Sequence, residues 1–101
     1  MVIEDMHVTE EKLLRIRESI EELLKKQIWY GEILSSEIGS NPFYPYFVSF
    51  QIRLKDNDFS SQDELSKLRS ISRKTKCEFR FHVYPKENNL ILEVFFYPKE
   101  V

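Results

Sequence analysis

The 101-residue sequence has no alanine, one cysteine and only two glycines. The single thiol, Cys77, excludes an internal disulfide and any cysteine-rich zinc site. Loops that cradle phosphates need several glycines for backbone freedom and close approach. Gly31 and Gly39 stand alone, so neither a P-loop nor a dinucleotide-binding fingerprint can be built. His7 and His82 are the only histidines, and no HxxxH or CxxC spacing is present. No apolar run reaches membrane-spanning length, and nothing resembles the charged, apolar and small-residue succession of a signal peptide. No cofactor or metal is expected, and no membrane partner; a cytoplasmic location is the default expectation. A net charge of −2 excludes a general attraction to nucleic acid or anionic membrane. The missing alanine, beside abundant Ile, Leu, Phe, Lys, Glu and Asn, suits an AT-rich genome such as those of many phages and archaeal viruses.

What is present is ordinary globular composition for one domain, 42% hydrophobic and 32% charged. Three stretches alternate between apolar and polar residues. Val48, Phe50, Ile52 and Leu54 share one parity, as do Cys77, Phe79, Phe81 and Val83, and Leu90, Leu92, Val94 and Phe96. Successive strand side chains point to opposite faces, so these residues define one apolar sheet face.

The N-terminal segment reads as one long helix over 9–38. Thr9 stands as N-cap between Val8 and Leu13, and Leu13, Ile16, Ile20, Leu23, Leu24, Ile28, Tyr30 and Leu34 recur at spacings of three and four. Gly39-Ser40-Asn41-Pro42 ends it. Strands are expected at 46–55, 77–84 and 90–97. Ser61 and Glu64 form a capping box for a helix over 61–75, and Pro85-Lys86-Glu87-Asn88-Asn89 supplies a turn. The expected fold is α+β in the order α-β-α-β-β. It has a three-stranded mixed sheet in spatial order 1-3-2 (half of a ferredoxin-like split β-α-β unit), with both helices on one face.

Three surfaces are candidates for function. The second sheet face carries Phe47, Ser49, Gln51 and Arg53, then Glu78, Arg80, His82 and Tyr84, then Ile91, Glu93, Phe95 and Tyr97. Aromatic and Arg anchors of this kind suit a protein interface. Cross-strand pairs such as Arg80 with Glu93, plus scattered exposed aromatics, are the structural alternative. The middle of the long helix carries Ile28, Trp29, Tyr30, Ile33 and Leu34, and the excess over one apolar stripe, Trp29 and Ile33 in particular, points to a second buried contact. Finally, Lys67, Arg69, Arg73, Lys74, Lys76 and Arg80 form a basic run, broken only by Glu78. Cations at a helix C-terminus are ordinary, but the run also suits phosphate groups.

Catalytic constellations are poor. Cys77 shares the core parity and reads as a buried hydrophobe, and nothing brackets Glu78 and Glu93 as an acid/base pair. The expectation is therefore a non-enzymatic, homodimeric protein-binding module, a virus-encoded regulator or inhibitor that occupies a surface of a larger protein. Its anchors would be Trp29, Tyr30, Ile33, Phe47, Phe95 and Tyr97. The rival is a nucleic-acid binder that uses the basic second helix with the aromatic sheet face as its platform.

Overall fold

In the computed structural model the described residues are 2–26, 31–40, 42, 46–54 and 61–99. They form α1 (Val2–Lys26), β1 (Gly31–Gly39), β2 (Phe47–Leu54), α2 (Ser61–Thr75), β3 (Cys77–Lys86) and β4 (Asn89–Pro98). The sheet has four strands in the order β1-β2-β4-β3, and every neighbouring pair is antiparallel. This corrects the three-stranded mixed sheet. The fold is α+β, with one strand more and one helix shorter than the sequence pattern implies.

The correction lies in the N-terminal third. α1 stops at Lys26, and residues 31–39 form an edge strand in place of the last turns of a helix. Thr9 is no N-cap, because the helix begins at Val2 and runs through it. The cause is a β-bulge. Ile33 pairs with Ile52 and Ser35 with Gln51, so Leu34 has no partner across the ladder. The extra residue lets Ile33 and Ile38, which have opposite parity, point to the same face. Both pack against the core, while Leu34 is 44% exposed. A bulged strand interrupts the period of two, and Ile33, Leu34 and Ile38 then imitate helical spacing.

The core fills the layer between that face and the helices. Val48, Phe50, Ile52 and Leu54 of β2, Leu92, Val94 and Phe96 of β4, and Cys77 of β3 are buried there. Leu13, Ile20 and Leu24 of α1 and Leu68 and Ile71 of α2 close it from above. At about 1.5–3 kcal/mol per large buried side chain, this layer supplies the main driving force for folding. α1 packs on β1 and β2, α2 packs on β3, and the helices touch each other.

Two connections are sharp. Lys76 adopts a left-handed φ of 55° between α2 and β3, and its N–H reaches the Arg73 carbonyl at 3.4 Å. The β3–β4 turn is also tighter than the expected five residues. Pro85 pairs with Leu90 and Lys86 with Asn89, leaving Glu87 and Asn88 at positive φ in a two-residue hairpin.

Candidate functional site: the second face of the sheet

Both helices lie on the core face, and among the described residues no element covers the other. Strand register assembles that second face into rows running across all four strands. Glu37, Ser49, Phe95 and Arg80 form one row, in the order β1, β2, β4, β3. Ser35, Gln51, Glu93 and His82 form the next, and Glu32, Arg53, Ile91 and Tyr84 the third. Directly opposed residues point the same way, so each row is a line of neighbouring side chains.

The middle row is a continuous polar chain. The Ser35 hydroxyl donates to Gln51 Oε1 at 3.3 Å, and Gln51 Nε2 donates to Glu93 Oε2 at 2.9 Å. The second Glu93 oxygen lies 3.0 Å from His82 Nε2. The Glu93 carboxylate, 22% exposed, is thus held from both sides. Beside this row Arg53 is ion-paired with Glu32. In the register Arg80 stands opposite Phe95, not Glu93, and Glu78 stands opposite Tyr97.

At one end of the face the aromatic residues form a ladder. The Phe47 and Phe95 rings meet edge to face at 5.6 Å, and Phe95 and Tyr97 lie nearly parallel at 6.3 Å. Gly39 is what lets Phe47 lie down. A Cβ at Gly39 would stand 2.8 Å from the Phe47 ring, so the ring occupies the space a side chain would need. Tyr97 is buried, while Phe47 and Phe95 are half-buried. On the far strand His82 stacks on Tyr84 at 5.5 Å.

The structure brings Phe47, Phe95 and Tyr97 together. It places Ile33 on the opposite side of the sheet, packed against the core. Trp29 and Tyr30 lie outside the described residues. Lys67, Arg69, Arg73 and Lys74 belong to α2, and Lys76 follows it, so this basic set sits in the helix layer. Only Arg80 shares the aromatic face. Missing from the sequence reading was the polar row. Gln51, Glu93 and His82 share the outward parity near the middle of their strands, which was a usable signal. Ser35 gives none, because the bulged strand it sits in imitates helical spacing.

Among the described residues no group of His, Cys, Asp and Glu is placed to hold a metal ion. No described helix is long and apolar enough to cross a membrane. Burial raises the Cys77 thiol above its ordinary pKa, which disfavours the nucleophilic thiolate. Comparison with protein-family models, with curated proteins and with solved structures finds no match.

Proposed function

We propose that this chain is a small cytosolic protein-binding module, a homodimeric regulator rather than a catalyst, whose docking surface is the helix-free sheet face. The observation that carries the reading is the Phe47–Phe95–Tyr97 ladder beside a row of polar side chains already paired with one another. Prepaired polar groups lower the cost of excluding water, and aromatic anchors are the residue type that most often dominates interface energy.

A second copy fits this face. A two-fold axis parallel to the strands would lay β1 of one protomer over β3 of the other. Glu37 then faces Arg80, Ser49 faces Phe95, and Gln51 faces Glu93, each twice by symmetry. No like charges meet within the three rows. Four strands about 4.8 Å apart and eight residues long give a footprint of roughly 500 Å². With side-chain relief, that approaches the ~800 Å² per partner of a standard interface.

The nucleic-acid alternative asks α2 and the aromatic face to act together, and the two are on opposite sides of the sheet. Light scattering after gel filtration tests the dimer. Wild type is expected at twice the chain mass, Arg80→Glu at the monomer mass, and Glu37→Arg combined with Arg80→Glu at the dimer mass again. A monomeric wild type, or a dimer indifferent to Arg80→Glu and Phe95→Ala, overturns this interface.

A further inference from the structure

A second feature lies in the helix layer, away from the proposed docking face. Where α2 hands over to β3, a pocket of about 350 Å³ is lined by Ser72, Arg73, Lys76, Cys77 and Lys99. Three of these five residues are cationic, and among the described residues no carboxylate lines the pocket. They converge from different segments: Arg73 from the last turn of α2, Lys76 from the left-handed link, and Lys99 from the chain beyond β4. The Lys99 N–H holds the Lys76 carbonyl at 3.2 Å and fixes that third segment in place.

Cations at a helix C-terminus commonly answer its unsatisfied carbonyls. Here several of those carbonyls have other donors. The Thr75 hydroxyl donates to Ile71 O at 2.7 Å and reaches Ser72 O at 3.5 Å. Arg73 O accepts from the Lys76 N–H, and Thr75 O accepts from the Cys77 thiol at 3.4 Å. Cys77 O accepts from the Ser72 hydroxyl, and Lys76 O from Lys99. Among the described residues, moreover, Arg73, Lys76 and Lys99 enter no ion pair.

We propose that this pocket binds a dianionic phosphate group, carried as a small phosphate monoester. Three converging cations match the charge and the several acceptor oxygens of such a group, and charge-assisted contacts are the strong ones. The volume stands at the small end of ligand sites, roughly 300–1,000 Å³, with room for a phosphate and a modest substituent.

The test is an amide chemical-shift titration of the full chain with inorganic phosphate, repeated with a short single-stranded DNA. Phosphate is expected to give saturable shifts centred on Ser72, Arg73, Lys76, Cys77 and Lys99. Arg73→Gln and Lys99→Gln, both on exposed side chains, should each weaken binding roughly tenfold. Lys74→Gln removes the same charge from α2 outside the pocket and should change affinity less than about twofold. Absence of saturation in the wild type overturns the proposal without reference to any variant. Equal losses from Lys74→Gln and Lys99→Gln overturn it in favour of a diffuse positive field. Far tighter DNA binding, with shifts spread over Lys67 and Arg69 and a steep salt dependence, overturns it in favour of nucleic acid.

Discussion

Glu93 on β4 stands directly across from His82 on β3, its Oε1 3.0 Å from the imidazole Nε2. Its other oxygen accepts from Gln51 on the opposite neighbour at 2.9 Å. One carboxylate therefore links three strands on the face that no described helix covers. Glu93→Ala should cost about 1–3 kcal/mol in urea denaturation, since it removes two contacts and strands the Gln51 amide. Glu93→Gln keeps one acceptor and should lose less. Unchanged stability in Glu93→Ala would mean that the row is decorative.

Gly39 and Phe47 make a second pair with a sharp consequence. The Phe47 ring fills the place of the missing Cβ, so Gly39→Ala must push the ring away from its edge-to-face contact with Phe95. A loss of about 1–2 kcal/mol is expected, in the range of overpacking substitutions. In the Phe47→Ala background the same Gly39→Ala change should be nearly neutral, because the obstructing ring has gone. A double-mutant cycle measures this coupling; strictly additive costs would place the ring elsewhere.

How far the chain could be read in advance depended on whether one period ran unbroken. In β2, β3 and β4, each apolar stretch keeps one parity, and the register sets those residues on one face. In β1 the parity changes at Leu34, and no window of the sequence shows that Ile33 and Ile38 share a face. The expected long helix failed at the same place, since its spacings of three and four run past Lys26 to Leu34, the residue that the β1–β2 ladder leaves out. Of the candidate sites, Phe47, Phe95 and Tyr97 were legible because parity alone puts them together. Lys99 was not. Only the antiparallel return of β4 beside β3, through the register that sets Cys77 against Pro98, carries it to Lys76.

The bulge yields a contrast between two deletions. Removing Leu34 leaves Glu32, Ile33, Ser35, Ser36, Glu37 and Ile38 in simple alternation, with their faces and partners intact. That variant should fold with stability within about 1 kcal/mol of wild type, because the lost side chain is largely exposed. Removing Leu34 and Ser36 together instead leaves two residues between Ile33 and Ile38, which puts them on opposite faces, and should cost about 1.5–3 kcal/mol for the isoleucine expelled. Thermal melts by circular dichroism separate the two. An unfolded Leu34 deletion beside a stable double deletion would contradict the register.

Cys77 offers a pH-dependent test. The residue is 2% exposed, and burial raises its thiol above the ordinary 9.0, outweighing the opposing pulls of Thr75 and the Lys99 ammonium. The folded chain therefore keeps this proton at a pH where the unfolded chain has released it. Proton linkage sets the sign: below 9.0 both states hold the proton and the thiol makes stability independent of pH. Above 9.0 the unfolded state gains by ionising, so this contribution falls as pH rises towards the folded value. Lysines and tyrosines titrate in the same region, and comparison with Cys77→Ala cancels them. The stability advantage of wild type over Cys77→Ala should be constant near neutrality and shrink above 9.0, measured by urea denaturation across the pH range. Disulfide-exchange reagents should label Cys77 slowly in the native state and rapidly in denaturant. Fast native labelling, or an advantage that grows with pH, would show a thiol that is exposed and readily ionised, and the α2–β3 junction would then have to be more open than its hydrogen bonds imply.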